Sequence, residues 1–179
     1  MITVISGTNR PGSNTLKVAT LAADGLRAAG EEAILLDLTE LPQDLFEGTS
    51  YAARPAAFAP FQEAVLSAAG ILTVIPEYNG SYPGIMKYFI DMLRFPESLY
   101  EKPAGFIGLS AGRWGAVRAV EQLEMIFQYR HAHLCGRRVF MPKVADVLDA
   151  SGRLVDRDVE TRFEAMLLAF ADFCRRLAR

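Results

Sequence analysis

The sequence is poor in the residues that build metal and disulfide sites, with two cysteines and two histidines in 179 residues. Cys135 and Cys174 fall in different predicted elements, so no disulfide framework or paired-thiol motif is present. Both read as buried or half-buried thiols of a reducing compartment. His131 and His133 lie two residues apart on a predicted helix, where they do not face the same way, and no suitably spaced acidic or cysteine partner accompanies them. No metal site is therefore expected. Charge of one sign is also lacking. The formal net charge is −2, and basic residues are scattered apart from pairs such as Arg137-Arg138 and Arg175-Arg176. That predicts no broad attraction to nucleic acid or to an anionic membrane. No segment is apolar for long enough to cross a bilayer, and the opening run Ile2 to Ile5 is too short for a signal-peptide core, so the expected location is cytoplasmic. The sequon Asn79-Gly80-Ser81 is then expected to carry no glycan.

Hydrophobic residues make up 51% of the chain, enough at this length for one domain with a sizeable core, spanning residues 1–179. Short β-rich runs alternate with helical patterns. Strands are predicted at Ile2–Ser6, Ala33–Leu38, Ile71–Pro76, Gly105–Leu109 and Arg138–Met141. Helices are predicted from Ser13 to about Ala29, Pro60 to Ala69, Pro83 to Arg94, Ala116 to His133 and Asp156 to Leu177. The last has acidic residues early and arginines late, as the helix dipole favours. The stretch from Thr39 to about Pro55 is the longest irregular segment. Strands without polar/apolar alternation, separated by helices, imply a parallel sheet buried on both faces. The expected fold class is α/β, a three-layer doubly wound sheet of five parallel strands in the order 2-1-3-4-5, the flavodoxin-like order.

In such sheets ligands sit beyond the carboxyl ends of the strands, where the strand order reverses. Three loops leave those ends, all rich in Gly, Ser or Asn. The first, Ser6 to Thr15, places Thr8, Arg10, Ser13, Asn14 and Thr15 around a helix start. There the free backbone N–H groups and the arginine suit a phosphate. Ser13 or Asn14 could instead be an ordinary N-cap, but a cap needs only one such residue. Neither G-x-x-x-x-G-K-[ST] nor G-x-G-x-x-G is present, which argues against a P-loop nucleotidase and against a Rossmann pyrophosphate site. A terminal monophosphate, as in FMN, fits better.

The second loop reads Pro76-Glu77-Tyr78-Asn79-Gly80-Ser81-Tyr82-Pro83-Gly84. Together with Gly7 to Thr15 and with Pro83-Gly84-Ile85-Met86-Lys87, it resembles the NADPH-dependent FMN reductase family of flavodoxin-like proteins. The likeness extends over nearly the whole chain. Two positions depart from the family pattern: Asn14 and Thr15 follow Ser13 directly, and Tyr88 follows Lys87 where an asparagine is common. The resemblance implies noncovalent FMN, with Pro76, Glu77, Tyr78 and Asn79 lining the isoalloxazine ring. At Gly80 the missing side chain would allow close approach of the backbone. It also implies NADPH or NADH as co-substrate, a small-molecule electron acceptor, and self-association as a dimer or tetramer.

The third loop, Gly108 to Gly115, contains G-x-S-x-G at Gly108, Ser110 and Gly112, the pattern of a nucleophile elbow. A hydrolase of that kind needs an acid and then a histidine later in the chain. The acids between Ser110 and the histidines that come into question, Glu121 and Glu124, share one predicted helix with them, so the triad order and spacing fail. Ser110, Gly112 and Gly115 are expected instead to contact the ring or the ribityl chain. An electron carrier of flavodoxin type is the remaining alternative to an enzyme. Arg10 and the near-neutral charge argue against it. Assembly is expected through the helices from Pro83 and from Ala116, whose apolar residues (Ile85, Met86, Phe89 and Ile90; Val117, Val120, Leu123 and Met125 among them) spread over more than one stripe.

Overall fold

The computed structural model describes residues 1–178. The strands are β1 (Ile2–Ser6), β2 (Ala33–Asp37), β3 (Gly70–Pro76), β4 (Pro103–Leu109), β5 (His133–Leu134) and β6 (Val139–Met141). The helices are α1 (Asn14–Ala28), α2 (Ala59–Leu66), α3 (Gly84–Met92), α4 (Val117–Tyr129), α5 (Val144–Val147) and α6 (Arg157–Leu177). The sheet is parallel throughout, in the order β2-β1-β3-β4-β5, with β6 also on β4. This is the expected doubly wound order, and it puts the reversal between β1 and β3.

The fifth position differs from the sequence expectation. It is filled by two short strands on the same edge of β4, with Pro103 and Ala104 facing His133 and Leu134, and Ile107 to Leu109 facing Val139 to Met141. The exposed stretch Gly136–Arg138 lies between them. The preceding helix stops at Tyr129, because His131 has a left-handed backbone (φ 61°). His133 therefore belongs to a strand, and the two histidines do not share a helix as expected.

Both faces of the sheet are covered. On one side α1 and α6 bury Val18, Ala22, Leu26, Phe163, Met166 and Phe170 against Leu72, Val74 and Ile107. Alanines on α1 let that helix come close to the sheet. Its start is capped by Ser13, whose Oγ accepts from the Leu16 N–H at 3.1 Å. Asp156 does the same for α6, accepting from the N–H groups of Asp158 and Val159. On the other side α2, α3 and α4 bury Val65, Met86, Phe89, Ile90, Leu123 and Phe127 against Ile71, Ile75 and Phe106.

The stretch expected to be irregular is a series of four 3₁₀ turns between Leu38 and Phe58. Leu38, Leu41, Leu45 and Phe58 are buried. Phe46 stacks on Tyr88 at 5.2 Å, and the Tyr88 hydroxyl donates to the Leu45 carbonyl at 2.6 Å. These turns cover apolar residues of α3 that the sequence alone left without a partner.

Candidate functional site

All three loops singled out from the sequence leave the carboxyl ends of β1, β3 and β4 at the reversal point. The β1 loop begins at Gly7, whose N–H donates to the Val74 carbonyl at 2.9 Å. A Cβ at Gly7 would overlap Ile75 Cδ1 and stand 2.9 Å from the Val74 oxygen, so only glycine lets β1 and β3 come this close where the loop departs. Thr8 is fully buried. It shares a hydrogen bond of 3.1 Å with the Tyr78 hydroxyl and accepts from the Arg10 N–H at 3.3 Å, which joins the first loop to the second. Thr15 is buried and Asn14 half-buried at the head of α1. Their N–H groups have no acceptor among the described residues, as a helix start leaves them. Arg10 is exposed and makes no ion pair among the described residues. A Cβ on Gly12 (φ 63°) would meet open space.

The β3 loop is a hairpin turn. Tyr78 and Ser81 exchange both backbone hydrogen bonds, at 2.8 and 3.1 Å, and the two central residues have positive φ, 52° at Asn79 and 80° at Gly80. This is the geometry of a type I′ turn, for which Asn-Gly is the favoured pair. Pro76 is buried at the strand end and Tyr78 and Asn79 are exposed. A Cβ on Gly80 would again enter open space. Glu77 is held from two sides: its N–H donates to the Leu109 carbonyl, and its Oε1 lies 3.3 Å from Arg118 Nη1. Its Oε2 is buried with no donor among the described residues.

The β4 loop is braced by a segment the sequence reading did not single out. Ser110 N–H donates to the Met141 carbonyl, Lys143 N–H to Gly112, and Val144 N–H to Ser110. Ser110 Oγ donates to the Gly112 carbonyl at 3.0 Å. Ser110 is half-buried and Gly112 exposed, at the mouth. Gly115 is placed otherwise. It is buried, and a Cβ there would stand 3.0 Å from Met141 N, Phe140 Cβ and Pro142 N. Its immediate role is to let this loop pass against β6. Trp114, 53% exposed, has the Arg113 guanidinium 4.8 Å from its ring centroid.

Sequence reasoning also missed two side chains of α4. Gln122 donates from Nε2 to the Gly80 carbonyl at 3.2 Å and accepts from Ser81 Oγ at 2.6 Å. Arg118 meets Glu77 one helical turn earlier. No local signal marks such contacts, since the partners are 41 and 42 residues apart. Lys87 and Asp91, four residues apart on α3, form a surface pair at 2.7 Å.

Away from the mouth of these loops, an open groove of about 1470 Å³ runs along α2, α3 and α4 and is bordered near the turn by Tyr82 and Gln122. Arg130 borders it, buried and stacked on Phe95 at 4.9 Å, and desolvation lowers its pKa. The free N–H groups of Asn14, Thr15, Asn79 and Gly80 lie at the mouth of the loops instead.

Residues 1–146 match the model of the NADPH-dependent FMN reductase family. The chain is 34% identical over 177 residues to an NAD(P)H-dependent FMN reductase of Pseudomonas aeruginosa, covering 97% of this chain and 94% of that one. It is 32% identical to a quinone reductase of Escherichia coli K12, covering 69% of this chain and 68% of that one. Among solved structures it resembles a flavoenzyme NAD(P)H:(acceptor) oxidoreductase from Paracoccus denitrificans, with a TM-score of 0.79 and 25% identity over 98% of this chain and 97% of that one. A flavodoxin from Pseudomonas aeruginosa shares the fold at a TM-score of 0.60, with 21% identity over 99% of each chain. On the family match and these relatives, the chain belongs to the NADPH-dependent FMN reductase family.

Proposed function

We propose that this protein is an FMN-dependent NAD(P)H oxidoreductase that delivers electrons to a small acceptor such as a quinone, a free flavin, an azo compound or a metal oxyanion. Family membership supports the cofactor and the reaction class. The observation that carries the site is the convergence of three loops whose donors are unspent: the first-turn N–H groups of Asn14 and Thr15 beside Arg10, and the N–H groups of Asn79 and Gly80. At Gly12 and Gly80 no side chain screens the backbone, and a Cβ at either would enter open space. These residues fit a flavin mononucleotide, with phosphate at the head of α1 and the ring against the Pro76–Gly80 turn. FMN bound there supplies hydride acceptance and electron release.

The residues around it bind and orient. Thr8, Arg10, Ser13, Asn14 and Thr15 hold the phosphate end. Pro76, Glu77, Tyr78, Asn79 and Gly80 set one edge of the ring, and Ser110 and Gly112 another. No side chain needs to act as a general acid or base for hydride transfer, so no catalytic residue is assigned. If these loops cover all but one face of the ring, nucleotide and acceptor use that face in turn, and kinetics are ping-pong, with parallel double-reciprocal lines. Assembly into a dimer or tetramer, and a cytoplasmic site of action, complete the reading.

The test is anaerobic stopped flow with the FMN-loaded protein. Bleaching of the flavin band near ~450 nm, a property of the cofactor, is expected on mixing with NADPH or NADH. No bleaching by either at millimolar concentration would leave an electron carrier instead.

A further inference from the structure

We infer that Gln122 on α4 is a positioning residue for the flavin ring, acting through the Tyr78–Ser81 turn. The inference rests on reading that turn as the ring contact. A type I′ turn has three peptide links, and here the one between Gly80 and Ser81 is engaged on both sides. Its carbonyl accepts from Gln122 Nε2 at 3.2 Å, and its N–H donates to the Tyr78 carbonyl at 3.1 Å. Gln122 also accepts from Ser81 Oγ at 2.6 Å, so one side chain grips the turn at two points. One turn earlier on the same helix, Arg118 meets Glu77 Oε1 at 3.3 Å, so the strand-proximal end of the loop is tied to α4 as well. What remains unspent is the pair of N–H donors of Asn79 and Gly80. The turn therefore commits a carbonyl to the helix and keeps two donors for a ligand.

Nothing in the sheet requires this. Gly80 and Asn79 are free to adopt other backbone conformations, and an isolated two-residue turn is held only by its own two hydrogen bonds. Fixing the Gly80–Ser81 peptide restricts that freedom before the ligand arrives, which is how preorganised donors come to favour the more electron-rich form of what they face. Reduced flavin carries more electron density on its ring than oxidised flavin. Loss of the grip should therefore weaken binding of the reduced form more than that of the oxidised form. The phosphate end, at the head of α1, should be indifferent.

The experiment compares Gln122→Ala, Gln122→Glu and Gly80→Ala in the full chain. It measures oxidised FMN and riboflavin affinities, the midpoint potential of bound FMN, and Tm without flavin. Gln122 is exposed, so its variants should fold. For Gln122→Ala the dissociation constants of FMN and riboflavin are expected to rise by the same factor, about two- to tenfold for one or two lost hydrogen bonds. A threefold greater loss for reduced FMN appears as a fall of about 14 mV in a two-electron couple. Gln122→Glu keeps an acceptor for Ser81, loses the donor to Gly80 and adds a negative charge, so it should lower the potential at least as far as Gln122→Ala. A lowered Tm with an unmoved potential would reduce Gln122 to a structural role and overturn the inference. So would a loss confined to FMN. Gly80→Ala, which strains the turn directly because an L side chain disfavours φ 80°, separates the two layers of argument. If it shifts the potential while the Gln122 variants do not, only the inference fails. If it too leaves potential and affinity unmoved, the turn is not the ring contact and both readings fall.

Discussion

Ser13 illustrates how a structural and a functional role can share one side chain. Its oxygen accepts from the Leu16 N–H, which is the ordinary work of an N-cap. The hydroxyl proton is still available as a donor, so a phosphate at the helix head does not compete with the cap. Arg10 has no such structural duty, being exposed and without an ion pair among the described residues. Arg10→Ala should therefore leave stability unchanged and weaken FMN by about 1.5–3 kcal/mol, the range for a charged hydrogen bond. Riboflavin, which lacks the phosphate, should bind as before. Titration of both ligands into wild type and variant checks this, and an unchanged FMN affinity would return Arg10 to the solvent. Gly7 behaves in the opposite way. A methyl group there would overlap Ile75 and crowd the Val74 carbonyl, prising β1 from β3 at the point where the phosphate loop starts. Gly7→Ala is expected to cost about 1–3 kcal/mol in a urea melt, and to weaken FMN and riboflavin together because both sit across that seam.

The elements carry their own consequences. Helix α6 closes one face of the sheet, and Cys174 near its end lies against Gly70, where any Cβ would collide with the sulfur. Burial pushes the Cys174 thiol up to about 12, helped by Cys135 and Glu31 nearby. Both cysteines are buried and unpaired. A thiol whose folded pKa lies above its unfolded value supports folding fully below the unfolded value, about 8.5. That support is lost as pH rises through the alkaline range toward the folded value. The urea midpoint should therefore fall between about pH 8 and about pH 10.5, and Cys174→Ala should flatten the fall. At neutral pH a thiol reagent should leave the native protein unmodified and react after unfolding. The stretch between Leu38 and Phe58 has an element-scale role as well. By covering Tyr88 and the outer side of α3, it moves the apolar surplus away from that helix and onto its neighbours.

For the whole molecule, the surplus is the groove face. Met125 and Tyr129 on α4 and Phe95 after α3 are 68%, 72% and 63% exposed, and all three line the large hollow. Three arginines there, Arg54, Arg94 and Arg130, make no ion pair among the described residues. A second copy laid on this face would remove the apolar side chains from water, as a stable dimer interface does. Light scattering should give at least a dimeric mass, and Tyr129→Asp, at the most exposed of the three, should shift the population toward monomer at low concentration. A monomer at every concentration in the wild type would end this proposal.

Much of this architecture was legible in the sequence because its signals are local. Strand runs, glycine and proline punctuation and capping residues each need only a few neighbouring residues, and the alternation of strand and helix then leaves few ways to wind the sheet. The three loops followed from the strand ends, and Pro76 to Asn79 carried the family. What the sequence did not settle were matters of path. The break between β5 and β6 and the early end of α4 depend on the left-handed turn at His131 and on how much of β4 is free to pair. The close packing of Gly115 against residues 140–142 likewise depends on how the β4 loop passes β6. Gln122 and Arg118 became visible only when α4 was laid beside a turn some forty residues away. The sequence by itself determined the kinds of element, their order and the loops that meet. The tertiary structure alone decided which side chains hold those loops in place, because hydrogen-bond geometry between distant segments exists only once the chain has closed around its sheet.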